Sequence, residues 1–109
     1  MKIVVTGSTG RVGSNLVKRL CDHGHDVTAC LMLNDKYESK LEGMKLRKAY
    51  IDVLDAAGMS EVIKDSDIVI HTAAVHESSL LKIPNDKFFD VNVKGMFNIL
   101  EGIRHSGKN

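Results

Sequence analysis

The sequence predicts an α/β fold, a parallel sheet of about four strands in the order 3-2-1-4 with helices on both faces. Three observations carry that expectation. A glycine-rich turn, Thr6-Gly7-Ser8-Thr9-Gly10-Arg11-Val12-Gly13, stands between a β-branched run, Ile3-Val4-Val5, and a stretch of helical apolar spacing. Strand-like and helix-like segments then alternate along the whole chain as βαβαβαβα, which right-handed crossovers convert into a parallel sheet. Finally, Asp67-Ile68-Val69-Ile70-His71 reads as a strong fourth strand. In this order the topological switch lies between the first and fourth strands, beside the glycine turn, where ligands of such sheets bind.

Taken in order, Ile3-Val4-Val5 is a buried parallel strand. The first helix is expected from Arg11 to His23, with Val12, Leu16, Val17 and Leu20 on one apolar face and Gly24 as its stop. Asp26 to Leu33 is the second strand, with Val27, Ala29 and Leu31 on one face. The polar stretch Asn34 to Gly43 reads as a loop plus a short helix. A third strand is centred on Lys48 to Ile51. Ala56 to Lys64 is a short helix weakened by Gly58 and capped by Asp55. His76 to Asn85 is a loop containing Pro84. Asp86 to His105 is the longest helix, with Phe89, Val93, Met96, Phe97, Leu100 and Ile103 on the face turned to the sheet and Phe88, Val91 and Ile99 off it.

The 109 residues suffice for one domain, and 43% apolar content fits a globular one. A net charge of +1 gives no electrostatic case for nucleic acid or an anionic membrane. No apolar run is long enough to span a bilayer. Two cysteines, Cys21 and Cys30, are too few for a disulfide scaffold and fit a reduced, cytoplasmic setting. His23 and His25 flank Gly24 without the spacing of a zinc site, so no metal is expected.

The glycine turn is the leading candidate site. Gly7 suits a backbone conformation that a Cβ would strain, Gly10 leaves room for a phosphate, and Gly13 lets the helix pack close to the strand. The N–H groups of the first helical turn then face an anion. A tight turn that needs glycine and binds nothing is the alternative. Asp52, just beyond the third strand, suits an adenine amino group or a helix cap. Thr72-Ala73-Ala74, beyond the fourth strand, gives a ribose or nicotinamide ring room against the backbone, or merely fits a crowded strand end. Asn92 can anchor the backbone or a water near the site, or be an ordinary polar helix position. Cofactor choice is open. The end of the second strand holds Leu31 and Met32 instead of an acid or an arginine. Asp35 and Lys36 follow with opposite charges, and Arg11 can reach a 2′-phosphate.

These residues resemble the extended short-chain dehydrogenase/reductases, in particular the NAD-dependent epimerase/dehydratase family. Four blocks carry the likeness in order: Thr6 to Gly13, Asp52-Val53-Leu54-Asp55, Asp67 to Ala74, and Asn92-Val93-Lys94-Gly95-Met96-Phe97-Asn98-Ile99-Leu100-Glu101. The resemblance implies a partial Rossmann fold over residues 1–109 that binds NAD or NADP. It makes the glycine loop the pyrophosphate site (Gly7, Ser8, Thr9, Gly10, Arg11, Val12 and Gly13) and Asp52, with its neighbour Val53, the adenine side. Thr72, Ala73 and Ala74 would meet ribose or phosphates, and Asn92 would stand near the nicotinamide.

The family's catalytic Tyr-x-x-x-Lys pair is not found here, because Leu41 and Leu54 stand four residues beyond Tyr37 and Tyr50. The expectation is therefore the dinucleotide-binding part of a nucleotide-sugar epimerase, dehydratase or reductase, inactive by itself. A non-catalytic nucleotide-binding or interaction module is the alternative. With no strand beyond the fourth, self-association or a second chain is expected through the fourth strand and last helix.

Overall fold

A computed structural model describes residues 1–75 and 83–108. Among them, β1 (Lys2–Thr6), β2 (Asp26–Leu31), β3 (Arg47–Tyr50) and β4 (Ile68–His71) form one parallel sheet in the order β3-β2-β1-β4. The register sets Val5 beside Ala29 on one side and beside Ile70 on the other. Leu31 pairs with Tyr50. Helix α1 (Arg11–Asp22) follows β1, a 3₁₀ turn (Glu38–Leu41) follows β2, and α2 (Ala56–Ile63) follows β3.

Alternation along β1 and β2 divides the core into two clusters. Ile3, Val5, Val27, Ala29 and Leu31 pack on one face with Val17 of α1 and Leu41 of the 3₁₀ turn. Val53, Met59 and Ile63 pack on the opposite face with Ile99, against Val69 of β4. Helices thus cover both faces, as expected for a buried parallel sheet.

Helix α1 ends where Gly24, at φ 79°, turns the chain and His25 N–H donates to Leu20 O at 3.2 Å. Val12 does not share the buried face with Leu16, Val17 and Leu20. It is 67% exposed, because the first turn of α1 stands above the sheet edge. Strand β2 is two residues shorter than expected, and Met32 and Leu33 are exposed beyond it. Asp55 caps α2, accepting from Gly58 N–H at 3.0 Å. Gly58 is there for space as well: a Cβ would stand 2.3 Å from Asp55 Oδ2 and 2.8 Å from Ile51 Cδ1.

The last helical region corrects the expectation twice. It is not one continuous α-helix. It comprises α3 (Asn85–Phe89), a π-helical turn (Asp90–Lys94) and α4 (Gly95–His105). Its inward face is also not the large apolar stripe. Ile99 is 2% exposed and packs in the core, with Gly95 and Gly102 buried and Val91 and Ile103 partly buried. Phe89, Val93, Met96, Phe97 and Leu100 face outward. Close approach is the reason. A Cβ on Gly95 would stand 2.7 Å from Val53 Cγ2, and one on Gly102 would stand 3.2 Å from Ile63 Cδ1. The small residues let α4 lie against α2 and Val53, and the large ones are left outside. Residues 76–82 of the expected loop fall outside the described residues. Pro84 stands at the N-terminus of α3.

Candidate functional site

A cleft of about 470 Å³ opens at the carboxyl edge of the sheet, above β1 and between β2 and β4. Its floor is the glycine loop. Gly7 has φ 65°, a region that side chains disfavour, and a Cβ there would lie 2.6 Å from Ala73 N. A Cβ on Gly13 would lie 2.0 Å from Gly7 O. The fold itself requires both glycines, since they let β1, α1 and the end of β4 meet. Gly10 differs. Its backbone is extended (φ −69°, ψ 173°), and a Cβ would meet only Gly7 O, at 3.2 Å. Packing demands glycine less strictly there than at Gly7 and Gly13, and Gly10 lines the cleft.

Gly10 also opens α1 without a side-chain cap, and the first turn carries no acidic residue. The unpaired N–H groups there, with the helix dipole, favour an anion. Arg11, Val12 and Gly13 line the same wall.

The expected residues divide by what they do. Gly7, Thr9, Gly10, Arg11, Val12, Gly13, Asp52, Val53, Thr72, Ala73 and Ala74 all line the cleft. Ser8 does not. It is fully buried beneath the loop, where its hydroxyl donates to Cys30 O. Thr72 donates its hydroxyl to Thr6 O at 2.7 Å and so pins β4 to the loop. Ala73 packs against Gly7 and the core, so its small size serves the crowded strand end. Ala74 is exposed in the cleft wall. Asp52 turns its own loop, accepting from Leu54 N–H at 2.9 Å, and still lines the cleft.

Asn92 does not line the cleft. It sits in the π-helical turn and clamps one residue of backbone. Its Oδ1 accepts from Val75 N–H at 2.8 Å, and its Nδ2 donates to Val75 O at 2.7 Å. The anchoring role is the one realised, and it holds the strand exit that follows Ala74.

Sequence reasoning left out Thr6, Cys30, Leu31, Met32, Ile51, Lys87 and Val91 as wall residues, and it left Asp35 undecided. Lys87 projects from α3, with no sequence signal to single it out. Cys30 is an inert wall, because burial pushes its thiol up to about 12. No cluster of potential metal ligands is found among the described residues.

This geometry has known counterparts. The chain is 31% identical over 113 residues to the dTDP-glucose 4,6-dehydratase of Mycobacterium tuberculosis, covering 98% of this chain and 34% of that protein. It is 31% identical over 107 residues to sterol demethylase protein B of Methylococcus capsulatus, covering 98% and 32%. The crystal structure of UDP-glucose-4-epimerase from Stenotrophomonas maltophila, with bound NAD and formylated UDP-arabinopyranose, superposes with a TM-score of 0.87 at 25% identity. That match covers all of this chain and 35% of the other. The chain thus spans about a third of the length of these relatives. The model of the NAD dependent epimerase/dehydratase family matches residues 3–109. The match takes in the glycine loop, all four strands and the clamp at Asn92, and the chain belongs to that family.

Proposed function

We propose that residues 1–109 form one unit, the dinucleotide-binding portion of an NAD(P)-dependent epimerase, dehydratase or reductase of the nucleotide-sugar-modifying type. The observation that carries this is Gly10, a glycine that lines the cleft and that packing requires less strictly than Gly7 or Gly13. A pyrophosphate fits there: the loop leaves open the space a Cβ would fill, above uncapped N–H groups. Gly7, Thr9, Arg11, Val12 and Gly13 would surround it, with Ser8 holding the loop from below. Asp52 and Val53 would face the adenine. Thr72, Ala73 and Ala74 would face the other half of the dinucleotide, with Asn92 fixing that wall. The bound group would supply hydride exchange, and the residues present hold and orient it. The related dehydratase, and the related epimerase with its bound NAD, support the class of reaction.

Calorimetric titration with NAD, NADP and ADP-ribose tests the reading. Binding is expected in the micromolar to millimolar range, and Gly10→Val should abolish it while leaving the circular dichroism spectrum unchanged. No heat from a folded wild-type chain at millimolar ligand would end the proposal. A non-catalytic nucleotide-binding module shares this binding step and differs only in the chemistry beyond it.

The outer face of the last helices supports a covering partner. Phe89, Val93, Met96, Phe97 and Leu100 are exposed on it. Among the described residues, β4 pairs only with β1 and forms a sheet edge. Another copy, or a separate chain, would cover both. No helix of the described residues is long and apolar enough to cross a membrane. Cys21 and Cys30 are both free thiols, which suits a reducing cytoplasm.

A further inference from the structure

The amino edge of the sheet, opposite the cleft, holds a second cavity of about 280 Å³. Its sheet side follows from the register. Arg47, Thr28 and Val4 stand in one row across β3, β2 and β1, so their side chains share a face. Lys2 lies two residues before Val4 and joins them on that face. The facing wall is the end of α2 and the turn after it, with Val62, Asp65 and Ser66. Val4 and Val62 supply the apolar part of the lining.

The walls are fixed by the fold. Lys2 N–H donates to Asp67 Oδ2 and Asp67 N–H donates to Lys2 O, both at 2.8 Å, so the turn after α2 is fastened twice to the start of β1. Ser66 is 6% exposed, and its hydroxyl donates to Ile63 O at 2.7 Å. The neighbouring cations are engaged elsewhere. Lys64 pairs with Glu61, and Lys108 Nζ donates to Ser66 O at 2.6 Å. Arg47 Nη2 meets both oxygens of Asp26, at 2.9 and 3.0 Å. A guanidinium has five N–H groups, so Arg47 keeps donors beyond that contact. Two charges remain. Lys2 Nζ and the Asp65 carboxylate belong to the same cavity, and neither forms an ion pair or a side-chain hydrogen bond among the described residues. Opposite charges that share a cavity and stay apart leave a gap that a ligand bearing both charges can bridge.

We propose that this cavity binds a small zwitterion, a free α-amino acid. Its carboxylate would take N–H donors from Lys2 and Arg47. Its ammonium would face Asp65 at the carboxyl end of α2, where the helix dipole favours a cation. Its side chain would lie on Val4 and Val62. Asp65 disfavours a plain anion, and Lys2 with Arg47 disfavours a plain cation. Because Asp26 offsets Arg47, the remaining charges balance a neutral molecule. At about 280 Å³ the cavity falls just below the roughly 300–1,000 Å³ of drug-sized ligand sites, which suits a ligand this small. The site lies at the other end of the strands from the glycine loop and does not depend on what that loop binds.

The probes are leucine and two analogues that each lack one charge, 4-methylpentanoate and isopentylamine. Binding is read from amide chemical shifts of the whole chain at neutral pH and fixed salt. Leucine is expected to bind in the millimolar range, moving the amides of Thr28, Asp65 and Ser66 and leaving those of Gly10 and Gly13 in place. Each analogue should bind more weakly than leucine by about three- to tenfold, the scale of one exposed charge contact. Lys2→Gln and Asp65→Asn should each weaken leucine by about the same factor, and both positions are exposed, so the fold should survive either change. Three results would overturn the inference. They are no movement of those amides at tens of millimolar leucine, an analogue that binds as tightly as leucine, and leucine binding unchanged in either variant. Nucleotide binding at the glycine loop is a separate titration, and its outcome leaves this one untouched.

Discussion

His71 stands half-buried at the end of β4, with Nδ1 2.6 Å from Thr6 Oγ1. The Thr6 oxygen accepts from the N–H groups of Thr72 and Ala73 at 3.2 and 3.3 Å. Its own proton is therefore the one directed at His71 Nδ1, and the ring is neutral with the proton on Nε2. Burial pushes the imidazole pKa below its usual 6.5. The unfolded chain then binds a proton at higher pH than the folded one. Stability from this group is present above about pH 6.5 and is lost as pH falls through the depressed folded value. The urea midpoint should drop between about pH 7 and pH 5, and His71→Leu should flatten that drop. Parallel profiles for the two proteins would rule His71 out as the cause. Asp55 shows what a single residue can disclose: an acid before Ala56 reads as a cap, and it is one. Asp35 shows the limit. Two adjacent opposite charges cannot be ranked by spacing: Asp35 lines the cleft and Lys36 does not, just after Asn34 takes a left-handed conformation at φ 61°.

At the scale of elements, β1, β2 and α1 were legible because their apolar periodicity and their burial coincide, except at Val12 in the first turn of α1. For α4 they diverge. Within it, apolar spacing selects Met96, Phe97, Leu100 and Ile103, continuing Phe89 and Val93 before it, whereas the buried side is Gly95, Ile99 and Gly102, and of the stripe only Ile103 packs against the core. Glycines weigh nothing in a hydrophobic count, yet here they set the distance between helices. The consequence for stability is measurable. Ile99→Ala removes a buried side chain and should cost about 2–4 kcal/mol in chemical denaturation. Leu100→Ala, one position along and 56% exposed, should change monomer stability by no more than about 0.5 kcal/mol. A larger loss at Leu100 than at Ile99 would reverse the facing described for α4. The same contrast holds in the loop. Gly13→Ala puts a Cβ 2.0 Å from Gly7 O and should destabilise by about 3 kcal/mol, whereas Gly10→Ala meets one atom at 3.2 Å and should be mild.

For the whole molecule, the strand order 3-2-1-4 follows from crossover handedness and the alternation of elements, and it is the order observed. What the sequence hid is the size of the uncovered helical surface. Burying apolar side chains of this kind is worth on the order of 1.5–3 kcal/mol each, so five on one face favour association. Sedimentation velocity should show concentration-dependent association at low micromolar protein, shifted toward monomer by Phe97→Ser with Leu100→Ser. A cooperative monomer at every concentration would leave the face unpartnered. The topology also imposes a sequence of events in time. The hydrogen bond between Thr6 and His71 joins residues 65 apart, and β1 lies between two strands that both come later. Of the four strands, the one bearing the glycine loop is made first, and it gains its second partner only when β4 arrives. At about 5–20 residues per second, its β4 side stays open for several seconds of synthesis. During that interval only one face of the sheet can be covered, because Val17 and Leu41, which pack with Ile3 and Val5, are already made, whereas Val69 and Ile99 of the opposite cluster come later, and the open edge of β1 is the part of the nascent chain free to pair wrongly.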